Sequence, residues 1–305
     1  MPPDEQLQFR TLPNASAQEL ARIWLDRSES ASEKVSASDL YCGPAWTSVE
    51  RSLKQAQEMG DVHLKILSAG FGLVDPAILL PSYSATFSSD EDRVSKRISG
   101  QATTARKHSD WWLSVNRERG QGETPLASIV RECSADGPVL IAAGADYLEA
   151  VRDDLASLGH EITPDKLFVI SAGLHRRTDW VAKYQIPIDM RLEQLVPGPR
   201  TTINLRALEW ILSRIVPTTG WDRKAIEDLV QRKLSSVDRA ISNESVRCRL
   251  TEAELANWIR ERLTECPEWK CWPMLQTLRA SHSCEQARFR TTWQRAKDEM
   301  AVSRQ

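Results

Sequence analysis

Long apolar runs are missing from this 305-residue chain. No stretch approaches the roughly 18 residues that cross a bilayer, so no membrane-spanning helix is expected. The opening Met1-Pro2-Pro3-Asp4-Glu5 has neither a basic n-region nor an apolar h-region, so secretion is not expected. The six cysteines are scattered, and a chain this long needs no stapling. Reduced thiols in a cytoplasm are the simpler expectation. Cys248, Cys266, Cys271, His282 and Cys284 lack the tight paired spacing of a zinc module, so no metal site is expected. P-loop, G-x-G-x-x-G, H-E-x-x-H and G-x-S-x-G motifs are all absent. That removes the common nucleotide, metalloprotease and hydrolase signatures, and no cofactor is expected. No long-period repeat is evident.

What is present begins with a 41% hydrophobic fraction, enough for an ordinary core. The net charge of −2 hides an asymmetry. Residues 221–305 hold 16 Lys+Arg against 13 Asp+Glu, which leaves the rest of the chain at −5. Between Arg279 and Lys297 stand Arg288, Arg290 and Arg295 against the single acid Glu285. Such a run is either a phosphate footprint or a solvated helix face.

The apolar periodicity predicts helices over 16–27, 46–58, 103–118, 125–134, 145–158 and 203–215. Apolar runs predict strands at 62–67, 139–142 and 167–170, and residues 84–102 read as a polar loop. Strands separated by helices argue for an α/β fold: a mainly parallel sheet flanked by helices. The C-terminal part has helix starts and no strand pattern. Capping boxes at Thr251–Glu254 and Ser283–Gln286 open two of its helices. The expected domains are 1–217, α/β, and 218–305, helical. A helix over 272–280, a break at Ser281-His282 and a basic helix to about 299 resemble a helix-turn-helix. A plain helical hairpin fits the same pattern.

Three predicted strands end alike, in Ser68-Ala69-Gly70, Ala142-Ala143-Gly144 and Ser171-Ala172-Gly173. Ligands bind beyond the carboxyl ends of parallel strands, where three such edges would make one uncrowded floor. Polar groups follow each edge: Asp75 and Tyr83, Asp146 and Tyr147, then His175 with Arg176 and Arg177. Asp75, Asp146 and His175 are therefore the candidate catalytic groups. Ser68, Ala69, Gly70, Phe71, Tyr83, Gly144 and Tyr147 are the candidate ligand-binding residues of that floor. Each has a duller alternative, such as Asp75 capping a turn before Pro76 or Asp146 favouring a helix start. Pro197-Gly198-Pro199 leads into a helix bearing Arg200, Asn204 and Arg206, either an anion site or an ordinary capped helix. Trp111 and Trp112, side by side, cannot both face one core, so one is expected at the surface for stacking.

The block Leu67-Ser68-Ala69-Gly70-Phe71-Gly72-Leu73-Val74-Asp75-Pro76, continuing to Tyr83, resembles the signature of the YaaA-like peroxide-stress family. Ala37-Ser38-Asp39-Leu40-Tyr41 is similar to that family's Leu-Tyr element, and the archaeosine-synthase domain has a looser version. The resemblance spans residues 35–215 and implies a uracil-DNA-glycosylase-like sandwich. It further implies base chemistry on double-stranded DNA, with phage DNA carrying bulky glucosylated hydroxymethylcytosine as the substrate. No obligate protein partner is implied. In that reading a carboxylate, Asp75 or Asp146, stabilises the sugar cation, His175 bonds the departing base and Tyr83 stacks on it. Arg200, Asn204, Arg206, Arg288 and Arg290 hold DNA. Two other expectations stay open: a DNA-binding protein without chemistry, and a base-modification partner in a deazaguanine pathway.

Overall fold

A computed structural model describes residues 5–88, 90–172, 181–237, 250–279, 281–282 and 284–302. The chain forms two compact units, divided after Asp238.

The first unit opens with two 3-10 turns and then α1 (Ala17–Glu29). Ser16 Oγ caps α1 by accepting from Glu19 N–H. Next come β1 (Val35–Ser36), α2 (Ala37–Leu40), α3 (Pro44–Gln57), β2 (Ile66–Ser68), β3 (Gly72–Val74) and β4 (Leu79–Leu80). Helices α4 (Thr104–Glu118) and α5 (Pro125–Asp136) precede β5 (Val139–Ala142). Then follow α6 (Ala145–Ala150), α7 (Arg152–Ala156), β6 (Leu167–Ile170), α8 (Leu192–Leu195) and α9 (Ile203–Trp210). A π-turn over Ile211–Ile215 joins α9 to α10 (Val216–Thr219), and α11 (Arg223–Ser235) closes the unit. Pro217 has no N–H to give the preceding turn, which accounts for the widened ladder before it.

The fold is mixed α/β, but a mainly parallel sheet is not what the described residues form. Three two-stranded pairs replace it: β1 with β4 and β2 with β3, both antiparallel, and β5 with β6, parallel. The predicted strand at 62–67 is half wrong. Residues 61–65 are irregular, and only Ile66–Ser68 pairs, with Gly72–Val74. The first small-small-Gly stretch is therefore the turn of a hairpin and not a sheet edge. The chain reverses there because Gly72 takes φ +68°, which side-chain-bearing residues seldom adopt.

One core gathers Phe9, Leu20, Trp24, Phe71, Phe87 and Trp111 between α1, α4 and the hairpin. A second joins Trp112, Leu126, Val130, Leu148 and Val169, and a third covers β6 with α9 and α11. Both Trp111 and Trp112 are fully buried, contrary to the expectation that one is exposed. Helix α4 runs between two cores, and its adjacent tryptophans face one each. Trp111 Nε1 donates to Ala69 O at 2.7 Å, and Trp112 Nε1 donates to Asp154 Oδ2 at 2.9 Å. The polar-looking stretch 84–102 is packed too, through Phe87, Val94 and Ile98. Asp92 anchors it by accepting from Arg10 N, Arg10 Nη1 and Ser84 Oγ.

Helix α11 buries Ile226, Val230 and Leu234 in the third core, so residues 218–237 belong to the first unit. The second unit holds α12 (Glu252–Glu265), α13 (Cys271–Arg279) and α14 (Gln286–Val302) around Leu255, Ile259, Met274, Leu278 and Phe289. The Thr251–Glu254 capping box is complete. Helix α13 ends at Arg279 and α14 starts at Gln286, and the expected Ser283 cap lies outside the described residues.

His108 on α4 lies buried against the Phe87 ring, centroids 5.0 Å apart, and its Nε2 has no hydrogen-bond partner among the described residues. Burial, and then the Arg93 charge, lower its pKa to about 4. The unfolded chain therefore binds the proton more readily, and stability is lost as pH falls from about 6.5 to about 4. A two-and-a-half-unit gap sets an upper limit of about 3 kcal/mol on that loss. Urea unfolding at pH 7 and pH 4.5 should show a smaller pH penalty in His108→Gln than in the unaltered chain.

Candidate functional site

The hairpin turn, its β4-side continuation and α2 converge on a group of hydroxyls. Tyr83 Oη lies 2.7 Å from Tyr41 Oη and 2.8 Å from Ser68 Oγ. Ser68 Oγ accepts from Phe71 N–H at 3.0 Å. Burial pushes the Tyr83 phenol well above its ordinary pKa, and the neighbouring phenols of Tyr41 and Tyr147 push it further. Burial likewise raises Tyr41 and Tyr147. Three of the chain's four tyrosines thus sit together as neutral phenols.

The Tyr83 ring packs edge-on against Phe71 (4.9 Å) and Trp24 (6.1 Å) and fills the space over Gly70. A Cβ at Gly70 would stand 2.6 Å from the Tyr83 ring. Arg119, past the end of α4, donates to Phe71 O and to Leu73 O. Burial lowers its pKa, and the charge of Asp75 opposes that shift.

A cleft of about 500 Å³ lies beside this cluster. Helix α3 presents Trp46, Glu50, Leu53 and Gln57 to it, α2 presents Ser38 and Asp39, and His63, Lys65 and Asp75 line the rest. The Asp75 carboxylate touches the Lys65 ammonium and is largely exposed. Trp46 links cleft and cluster, since its ring lies 5.8 Å from that of Tyr41. Helix α3 starts abruptly because Gly43, at φ +84°, turns the chain into Pro44 at the first helical position.

Asp75, Ser68, Ala69, Gly70, Phe71, Tyr83 and Tyr147 therefore occupy one neighbourhood. Ser68, Ala69 and Phe71 are buried beneath it, so the expected open floor is closed. Asp146 does not line the cleft; its carboxylate lies 3.9 Å from Arg93. His175, Arg176 and Arg177 lie outside the described residues. Gly144 stands at the carboxyl end of β5, where a Cβ would meet Asn204 Nδ2 at 3.9 Å. Asn204 Oδ1 accepts from Ala172 N at 2.8 Å and so ties α9 to the end of β6.

Three of the four arginines expected to hold phosphate are engaged within the chain. Arg200 pairs with Glu193 at 2.7 Å. Arg206 donates to Pro199 O and Thr202 Oγ1. Arg288 donates to Glu252 and to Leu250 O. Arg290 is exposed. Sequence reasoning passed over Trp46, Asp39, Glu50, His63, Lys65 and Arg119. Only the 46/50/53/57 spacing, one face of a helix, could have marked the cleft side of α3. No protein-family model, curated protein or solved structure matches the chain.

Gly70→Ala should destabilise the fold by about 1–3 kcal/mol, because the methyl group must displace the Tyr83 ring from a packed core. Thermal unfolding measures it, and an unchanged Tm would disprove the close packing over Gly70.

Proposed function

We propose that the chain is a DNA glycosylase that takes an everted, bulky modified base into the Asp75 cleft and hydrolyses its N-glycosidic bond. One observation carries this reading: Asp75, from the block resembling YaaA-like proteins, opens into a cleft sized for a nucleoside and walled by an indole ring. A few hundred Å³ suits a base enlarged by a sugar better than a tight uracil slot.

The chemistry follows from the groups present. The C1′–N bond breaks with its electron pair passing to the base, and positive charge develops on the sugar. The oxygen of water then bonds to C1′, and the proton it releases ends on the base. The Asp75 carboxylate stabilises the sugar cation, and Trp46 stacks on the everted base. Asp39 and Glu50 offer acceptors to its exocyclic groups. His63, also on the wall, is an imidazole that the described residues bring to the cleft. Phosphates are left to exposed cations, and duplex binding should weaken as salt is added.

A second reading keeps base binding without cleavage. Asp146, the second candidate acid, lies outside the cleft beside Arg93, which favours it.

Incubation with a duplex carrying glucosylated hydroxymethylcytosine, and with its unmodified counterpart, separates the two. Glycosylase action releases base and leaves alkali-labile sites in the modified strand alone. Asp75→Asn should lower that rate by about 100-fold or more, the usual scale for loss of one electrostatic group at a reacting centre. Binding without released base would support the second reading.

A further inference from the structure

The hairpin that carries Asp75 also sets an amine against it. Strands β2 and β3 pair with Ile66 opposite Val74, so the next step outward brings Lys65 opposite Asp75. Side chains directly across an antiparallel pair lie on one face and interact. The Lys65 ammonium accordingly touches the Asp75 carboxylate, and both residues line the cleft. Of the described residues that line it, Lys65 alone is a lysine or an arginine. Its ammonium has three hydrogens, and among the described residues only Asp75 accepts from it. The side chain is 31% exposed, so the amine is open to a molecule entering from solvent.

We infer that Lys65 is a nucleophile toward C1′ of the abasic sugar, and that the chain nicks the strand once the base is gone. This rests on the glycosylase reading, which puts the Asp75 carboxylate at C1′, and it adds a lyase activity to the same cleft. Loss of the base leaves a sugar whose ring-opened form carries an aldehyde at C1′. The Lys65 ammonium gives a proton to the carboxylate it touches, and the freed electron pair of the amine bonds to C1′. A second proton moves from the nitrogen to the C1′ oxygen. Asp75 adds its own proton there, and that oxygen leaves as water. A protonated imine then joins Lys65 to the sugar. The Asp75 carboxylate next takes a proton from C2′ and later sheds it to solvent. The electron pair left behind forms the C2′–C3′ double bond, while the C3′–O bond breaks with its pair leaving on the phosphate. Water hydrolyses the imine and restores the ammonium.

The test gives the full chain a duplex with one preformed abasic site and sodium borohydride, which reduces an imine to a stable amine. The unaltered chain should become covalently joined to the strand, and peptide mass spectrometry should place the adduct on Lys65. Without borohydride, the same duplex should be nicked before any alkali is added. Lys65→Arg keeps a cation beside Asp75, but its guanidinium forms no imine, so adduct and nick should both be lost. The mapped adduct is read on the unaltered chain and does not depend on how that variant folds. An adduct on another lysine, or nicking that Lys65→Arg retains, would overturn the inference. Base release from glucosylated hydroxymethylcytosine with no adduct on the abasic duplex would overturn it too, and would leave the glycosylase reading standing. An adduct on Lys65 without base release from the modified duplex would support the lyase step and sink the glycosylase reading instead.

Discussion

A buried carboxamide on α4 sits at the centre of the bonds that hold the hairpin to the rest of the first unit. Asn116, fully buried on α4, accepts from Leu73 N–H through Oδ1 at 2.9 Å and donates to Trp112 O through Nδ2 at 2.7 Å. This contact is possible only because residue 72 is glycine. A Cβ there would stand 2.2 Å from Asn116 Oδ1, and the backbone already sits at positive φ. Gln121 and Arg119 take Leu73 O, and Trp111 takes Ala69 O. A two-stranded hairpin is marginal by itself in water. Here α4 supplies the partners that a third strand would give. Ser68, Tyr83 and Asp75 acquire their positions from that attachment, since all three lie on the hairpin or its continuation.

Arginine serves this fold mainly as a strut. Arg223 shows the pattern: its guanidinium donates to Pro164 O, Leu167 O and Tyr184 O and lies over the Phe168 ring. Arg206, Arg288 and Arg119 do similar work at other joints. Five donors in a planar fork satisfy several backbone carbonyls at once, which lysine cannot do. An arginine count therefore overstates the cationic surface open to phosphate.

The sequence reading succeeded where structure is local. The Thr251–Glu254 box and the start of the 125–134 helix both stand where local chemistry put them. Ser68 and Tyr83, both from the block between Leu67 and Tyr83, meet Tyr41 through their hydroxyls. The reading failed where the answer depends on distant partners. Gly70-Phe71-Gly72 is a reversal signal, yet beside Ile66 and Leu67 it read as a strand edge. Whether a short apolar run pairs parallel or antiparallel is decided by what packs on it, here α4, which no local pattern encodes. Trp111-Trp112 misled for the same reason: adjacent residues on a helix can both be buried when a core lies on each flank. The cleft residues Asp39, Glu50, His63 and Lys65 are ordinary surface types, and only the approach of α3 to residues 62–65 gives them a shared space.

Charge sorts what such a cleft admits. Asp39, Glu50 and Asp75 face Lys65 as the cation among the lining residues, with the Trp46 indole beside them. A phosphate brought into that space would meet three carboxylates of like charge, against one lysine already in contact with Asp75. A neutral base meets no such barrier, and its amino groups find acceptors there. A nucleic acid would therefore enter base first, with its backbone held outside. That is the geometry eversion produces, and it confines the energetic cost of unstacking to one nucleotide. A sugar cation forming at the rim, by contrast, is drawn toward the same carboxylates. In the glycosylase proposed above, the electrostatic character that disfavours the backbone would also stabilise the charge that bond cleavage creates.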